Sequence, residues 1–489
     1  MTFQEQSRII ETKERLLMAN ESIPCFYSFH GLNYKNGYVT TCPTQTDQFY
    51  LIEGRENLPS NIFNSPGFRL HRKEMVAGQW SEGCHLCEEN ERCNLRSMRH
   101  DFTAGQCDPK QYTVFEGIPT DMYNYETGEM DFAGLRHVEI RFNNSCNMAC
   151  LHCDQVYSSG WETKLKSYEP TELDHKHGLH QITGLRHTDR QGNKLPRIDL
   201  KMDEVEMIIR DLNENFPNIM KIDFSGGEVL KQKQFFLALD LLAEHPNAKN
   251  MEIFFYTNFN ADFDPVSLSE KLSKFRNLSL NISVDAGRNM YSYFRDGSWD
   301  KLVENLNKFM SVHKKPSNIK TIITTSIYQV LGIVDVFQSL MTLDVDIIDW
   351  APVQSPRQLN PALITLHHRD YIVAEFDKVK KLIYENRSRR NNEIKQGKKL
   401  RGFFYSGDKP SYDELSHSLD RSLKEMSQYV LSGVIQDEAN WEAFLHYAGT
   451  VDGIFKKDFN QSAFKDFRLI KTPEGNQLQR LTNGPETQE

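Results

Sequence analysis

No cysteine follows position 153, and no apolar run reaches the roughly 18 residues that a bilayer span requires. No membrane-crossing helix is therefore expected. The opening stretch MTFQEQSRIIETKERLL lacks the apolar core of a signal peptide. A cytoplasmic location follows as the expectation, and thiols stay reduced there. Basic charge is not in excess either. Lys and Arg number 58 against 67 Asp and Glu, a formal charge of −9, which argues against bulk nucleic-acid binding. Internal repeats are missing. The remaining composition is ordinary for a globular chain, with 39% hydrophobic and 26% charged residues among 489. That length suits about two or three domains.

What the chain does have is nine cysteines crowded into its first third: Cys25, Cys42, Cys84, Cys87, Cys93, Cys107, Cys146, Cys150 and Cys153. An odd number in a reducing compartment reads poorly as a disulfide framework and better as metal ligation. Scattered buried thiols would explain single cysteines but not these clusters.

The pattern changes along the chain. Residues 1–133 are rich in cysteine and turn residues. From 134 to 356, β-rich runs alternate with amphipathic ones. HVEIRF (137–142), MKIDFSGGE (220–228), MEIFFYTN (251–258), LSLNISVD (278–285), IKTIITTSIYQ (319–329) and VDIIDWAPV (345–353) read as strands. KMDEVEMIIRDLNENF, KQKQFFLALDLLAEH and WDKLVENLNKFMSVH read as the helices between them. Strand–helix alternation implies βαβ units and a parallel sheet, either an open barrel or a doubly wound sheet. Residues 154–200 read as a polar loop insertion. Residues 357–489 read as a mostly helical region whose tail, from about Lys471, is expected to fray.

Cys146, Cys150 and Cys153 follow C-x3-C-x2-C spacing just after the first β-rich run. Parallel α/β folds place their chemistry at that end of a strand. Thiolates suit iron–sulfur clusters or zinc. A closed zinc site takes four ligands, and a [4Fe–4S] cluster also normally takes four cysteines. Three cysteines leave one iron open to a ligand that is not protein.

This triad, in this place, resembles the radical S-adenosylmethionine (radical SAM) superfamily. The resemblance implies a partial (β/α)6 TIM-like barrel over residues 134–356. It implies a [4Fe–4S] cluster on Cys146, Cys150 and Cys153 whose open iron is chelated by S-adenosylmethionine. Reductive cleavage of that sulfonium gives methionine and a 5′-deoxyadenosyl radical. The residue before the last cysteine is usually aromatic in the family; here it is His152, whose ring is expected against the adenine. Ser225-Gly226-Gly227-Glu228 resembles the family's GGE turn, with Glu228 taking the ammonium of the cofactor. A plain turn is the bland alternative. Asn258, Ser283 and Asp285 end later strands and are expected to contact ribose and carboxylate. Arg295, in YFRDGSWDKLVENL, is expected to pair with the cofactor carboxylate or to be a surface arginine. Gln329 stands where the family has an Asn-like contact.

The earlier cysteines form a second set. Cys25 and Cys42 flank a predicted hairpin around Asn36-Gly37, and Cys84 and Cys87 form a C-x2-C pair. Four thiolates fill one [4Fe–4S] cluster or one zinc, and spacing does not distinguish them. The arrangement resembles the SPASM and twitch auxiliary-cluster domains of radical SAM enzymes, here N-terminal to the barrel. The surrounding C-x2-C-x3-E and S-x-R text matches Cys84, Cys87, Glu91, Ser97 and Arg99. Cys93 and Cys107 are left over, and position 97 is serine where the SPASM pattern needs a further cysteine. A second complete auxiliary cluster is not expected.

His175, His177 and His180 read as a solvated loop, and the basic set from Lys380 to Arg401 as a solvated helix face and loop. By resemblance, the substrate is a peptide or protein side chain, with dehydrogenation of a sugar or nucleotide as the alternative. An external electron donor such as flavodoxin or ferredoxin is implied. A non-catalytic iron–sulfur electron carrier and a zinc-stabilised interaction protein are the rival readings of another class.

Overall fold

The computed structural model describes residues 25–35, 38–43, 45, 50–51, 58–92, 97–100, 121–179, 199–313, 317–353, 356–406, 409–433, 437–461, 464, 466–472 and 475–481. Asn36, Gly37, Cys93, Cys107, His180 and much of the expected 154–200 insertion lie outside the described residues.

Nine strands form a mostly parallel sheet: β1 (Gly31–Lys35), β2 (Tyr38–Thr40), β3 (Tyr50–Leu51), β4 (His137–Arg141), β5 (Lys221–Ser225), β6 (Glu252–Thr257), β7 (Asn277–Ile282), β8 (Ser317–Thr325) and β9 (Ile347–Pro352). Their order is β3-β2-β1-β4-β5-β6-β7-β8-β9. The pairs β1–β4, β4–β5, β5–β6 and β8–β9 are parallel, and β1–β2 and β2–β3 are antiparallel. Helices separate the later strands, so the fold is α/β and has the pattern of a partial TIM-like barrel. All six strands expected from β4 to β9 are present. The N-terminal hairpin extends the sheet through β1 rather than folding apart from it.

The chain divides into two compact units. The first holds residues 1–143, 188–255 and 266–278, and the second holds 144–187, 256–265 and 279–489.

In the first unit, each strand alternates. Val138 and Ile140 of β4, Ile222 and Phe224 of β5, and Ile253 and Phe255 of β6 are buried on one face. The helices Met202–Asn215 and Lys233–Leu242 turn apolar faces inward, with Val205, Ile208, Ile209 and Leu212 on one and Phe235, Ala238, Leu239 and Leu242 on the other. The Phe235 ring meets Phe224 at 5.2 Å and Phe255 at 5.1 Å between centroids. Each such buried ring contributes about 1.5–3 kcal/mol. The opposite face carries several polar and charged side chains that pair with one another. Glu139 accepts hydrogen bonds from Asn33 (2.7 Å) and Ser225 (2.6 Å), and Asp223 pairs with His137 (2.9 Å) and Lys221 (3.3 Å).

In the second unit, Ser298 caps the helix Trp299–Val312, whose Trp299, Leu302, Leu306 and Phe309 form the buried stripe. The helices Thr365–Lys395, Glu414–Leu431 and Glu438–Phe455 make the C-terminal region mostly helical, as its periodicity predicts. Two expectations change. The stretch 154–200 includes the helices Ser159–Leu165 and Glu172–Lys176, held by Ser158 and by a Thr171–Asp174 capping box. The polar tail pairs as a hairpin, Phe467–Thr472 with Gly475–Arg480, instead of fraying from Lys471. Hairpin pairing satisfies backbone groups whatever the polarity of the side chains. A second small hairpin joins Phe403–Ser406 to Lys409–Asp413. Among the described residues, no helix is long and apolar enough to cross a membrane.

Candidate metal and cofactor site

The three-cysteine loop follows the C-terminal end of β4 and is fastened at every turn. Ser159 Oγ accepts from the Cys146 amide (3.0 Å) and donates to the Cys146 carbonyl (3.1 Å). The Trp161 indole donates to the Cys150 carbonyl (2.8 Å), and the Cys153 amide donates to the same oxygen (2.9 Å). Ser158 caps the helix and donates to the Met148 carbonyl (2.6 Å). The Tyr447 hydroxyl donates to the Leu151 carbonyl. Sequence reasoning missed Ser158, Ser159, Trp161 and Tyr447. The serines and tryptophan carried a signal in the cap pattern SSGW, but Tyr447 lies 296 residues from its partner.

The segment resembling the family's post-strand motif packs on this loop. The Leu151 amide donates to the Phe294 carbonyl (2.9 Å), and Cys150 Sγ lies 3.4 Å from the Arg295 carbonyl oxygen. A side chain at Gly297 would meet Met148 Cε at 2.5 Å, so glycine permits this close approach.

Cys150 is buried, and Cys146 and Cys153 are partly exposed by surface area. Burial pushes the Cys150 thiol up to about 12, with Arg295 opposing, and raises Cys153 well above its ordinary value, with Asp154 adding to the effect. Such thiols stay protonated on their own; coordination to a metal is what ionises them.

His152, Asp285 and Arg295 are drawn together beside the triad. Arg295 forms a buried ion pair with Asp285. Burial disfavours its charge, yet Cys150 and Asp285 outweigh burial and raise its pKa. His152 Nε2 lies 3.7 Å from Asp285, and its ring stacks on Phe294 at 5.0 Å. Asp285 takes a positive φ of 49° and accepts from the Thr324 amide (2.7 Å). Gln329 is fully buried. It receives Ser326 and donates to the Asp285 carbonyl (2.6 Å), so it orients Asp285. Asn258 receives the Asn260 amide (2.7 Å) and donates to Asn147 (3.1 Å), a residue of the triad loop. Ser283 is half-buried, its amide bonded to the Thr257 carbonyl (2.9 Å).

In the first unit, the turn after β5 has the conformation its glycines permit. Gly226 and Gly227 have φ of 82° and 56°. A Cβ on Gly226 would fall 2.1 Å from Arg141 Cγ and 3.1 Å from the Asn143 carbonyl. Glu228 is 1% exposed and accepts from the Leu230 amide (3.2 Å), capping a short helical turn.

Cys25, Cys42, Cys84 and Cys87, four residues from three separate stretches, line one cavity of the first unit. Gly31↔His137 pairing and the β1–β2 hairpin bring the first two together. Burial raises the thiols of Cys25, Cys84 and Cys87, and neighbouring cysteines add to the rise. Glu91 explains the adjacent matched text. It accepts from Ser97 Oγ (2.5 Å) and Arg99 Nε (2.9 Å), which places the Arg99 and Met98 amides against the Cys87 sulfur. Arg99 also covers Trp80, with 5.3 Å from its guanidinium carbon to the ring centroid. Among the described residues, no three His, Cys, Asp or Glu side chains converge on a single-ion site.

The other candidates resolve simply. The His177 ring lies tilted against that of His446 (5.0 Å between centroids), which pairs with Asp174 (2.8 Å). Arg387, Arg390 and Arg401 are in ion pairs with Asp420, Asp413 and Asp346.

Residues 140–328, less than half of the chain, match the family model described as the radical SAM superfamily. The segment bearing the triad is therefore similar to radical SAM domains. The chain also has likenesses among solved structures: native anSMEcpe with bound AdoMet (16% identity, 54% of this chain, 63% of that one, TM-score 0.30) and Streptococcus suis SuiB bound to S-adenosylmethionine (12% identity, 73% of this chain, 69% of that one, TM-score 0.27). The chain spans under two thirds of anSMEcpe. No curated protein sequence matches.

Proposed function

We propose that the chain is a radical SAM enzyme that modifies an unactivated C–H position. The observation that carries this reading is the fastened loop of Cys146, Cys150 and Cys153 within the segment matching that superfamily. Three thiolates suit a [4Fe–4S] cluster with one iron left for S-adenosylmethionine. Bound together, these groups supply reductive cleavage to a 5′-deoxyadenosyl radical, which takes hydrogen from the substrate. The protein's own residues hold and shield. Arg295, fixed by Asp285, sets a positive charge beside Cys150 and favours its thiolate. Gly226 and Gly227 leave room for close backbone approach, and Glu228, Asn258, Ser283, Asp285 and His152 supply polar contacts for the cofactor. The barrel keeps solvent and stray hydrogen donors from the radical.

Cys25, Cys42, Cys84 and Cys87 hold an auxiliary [4Fe–4S] cluster in this reading. Four cysteines lining one cavity, in a chain whose residues 140–328 match the radical SAM superfamily, favour a cluster over a single zinc ion. When bound there, such a cluster would supply an acceptor for the substrate electron, a binding point for the substrate or a conduit for electrons. The preferred substrate is a peptide or protein side chain, with a sugar or nucleotide as the other class. The reading places the enzyme in the cytoplasm, with a flavodoxin or ferredoxin as donor.

The test is anaerobic reconstitution with iron and sulfide, then reductant and S-adenosylmethionine, with 5′-deoxyadenosine read by mass spectrometry. Product from the parent and none from Cys150→Ala is expected. A brown, cluster-loaded parent that makes no product with candidate peptides, sugars or nucleotides present favours the electron-carrier reading. A colourless zinc protein ends the proposal.

A further inference from the structure

The cavity of four thiols has a fifth polar wall. His71, on the helix Pro66–Val76, lines it together with Ser28. The ring is 1% exposed. Its Nε2 lies 2.9 Å from Ser28 Oγ. Its Nδ1 is buried with no hydrogen-bond partner among the described residues. An unpaired buried polar atom is costly, so the position calls for an occupant of the cavity.

A buried imidazole is neutral, with one donor and one acceptor nitrogen. Ser28 has a hydroxyl to donate, and its carbonyl already receives Arg72 Nε (3.0 Å). With the Ser28 hydroxyl donating to Nε2, the proton sits on Nδ1. The ring then offers the cavity a donor. Cluster sulfur atoms are acceptors, and four cysteines already complete the four irons of a cubane. No iron is left for His71 to ligate.

Resting on the reading of this cavity as an auxiliary-cluster site, we propose that His71 Nδ1–H donates a hydrogen bond to a sulfur atom of the cluster held by Cys25, Cys42, Cys84 and Cys87. The amides of Met98 and Arg99 at Cys87 are its companions. A donor at sulfur stabilises the more negative, reduced cluster and raises its potential. His71 is thus a positioning and tuning residue, not a ligand.

The experiment uses the full chain carrying Cys146→Ala, Cys150→Ala and Cys153→Ala, which leaves the auxiliary site alone. Iron and sulfide are counted first. About four irons per chain are expected; zinc or no metal would overturn the cluster reading itself, and this inference with it. The midpoint potential is then followed by electron paramagnetic resonance. His71→Phe, which removes the donor, shifts the potential downward. His71→Asn, which keeps an N–H near the Nδ1 position, stays close to the parent. A cluster-loaded His71→Phe protein with the parent's potential, or His71→Asn shifting as far as His71→Phe, would sink the proposal while leaving the cluster intact. Should His71→Phe fail to take up iron, the parent grown with 15N-histidine decides. A weak histidine-nitrogen coupling that vanishes in His71→Asn supports the hydrogen bond. No coupling, or one as strong as a direct iron–nitrogen bond gives, overturns it.

Discussion

Trp161 shows how much of the triad's shape rests on residues without metal chemistry. Its indole N–H holds the Cys150 carbonyl, and its ring is 1% exposed against Phe455. Trp161→Phe keeps most of the packing but removes one of the two hydrogen bonds to that carbonyl, which retains the Cys153 amide. We expect a loss of about 0.5–1.5 kcal/mol in stability, read by urea unfolding, together with faster loss of iron from the reconstituted protein to a chelator. An unchanged iron half-life would mean that the loop does not need this bond. Gly226 is the sharper case in the first unit. A side chain there adds both a positive φ and an overlap with Arg141. Gly226→Ala is expected to weaken S-adenosylmethionine binding at least tenfold, equivalent to about 1.4 kcal/mol or more, measured by equilibrium dialysis of the cluster-loaded protein. Binding within twofold of the parent would return the turn to its plain structural reading. Both the triad and the glycine turn were legible in the sequence because their spacing is local. Arg295 was legible only as a name. Its partner Asp285 stands ten residues away, and their pairing needs the turn that gives Asp285 its positive φ.

Elements were read more surely than their ends and contacts. The strands from β4 to β9 and the helices between them follow apolar periodicities that survive in a single window of sequence. The short helices at 159–165 and 172–176 do not, because they are held by caps and by contacts far along the chain. Asp174, for example, caps its own helix and receives His446. The helix Glu414–Leu431 offers a pH test at this scale. Its first residue, Glu414, is 9% exposed. Burial pushes its carboxyl up to about 7, with Arg421 opposing and Asp349 and Asp413 reinforcing. A helix N-terminus favours a carboxylate, but here desolvation wins. The folded protein thus keeps a proton that the unfolded chain releases near 4.5. Stability from this group is full below about pH 4.5, declines as pH rises toward about 7, and is level above. Glu414→Gln should flatten that slope and gain up to about 2 kcal/mol at pH 8, allowing for solvent screening. Parallel stability–pH curves for parent and variant would refute the assignment.

At the scale of the molecule, the two cysteine sets predict iron that divides in two. The reconstituted parent should hold about eight irons per chain, and either Cys150→Ala with Cys153→Ala or Cys84→Ala with Cys87→Ala about four. Loss of nearly all iron from either pair would show that the sites are not independent. The 5′-deoxyadenosine assay separates them further, since only the first pair should abolish product in the absence of substrate. The sequence by itself determined the donor chemistry. Nine cysteines, their clustering before position 154, the glycine turn and the strand–helix alternation are all local facts, set by residue type and spacing. Tertiary structure alone decided that Cys25, Cys42, Cys84 and Cys87 share one cavity, that His71 stands in its wall, and that Tyr447 closes on a loop nearly three hundred residues earlier. Convergence of distant segments depends on sheet register and helix packing, and no window of sequence contains the partners that define them.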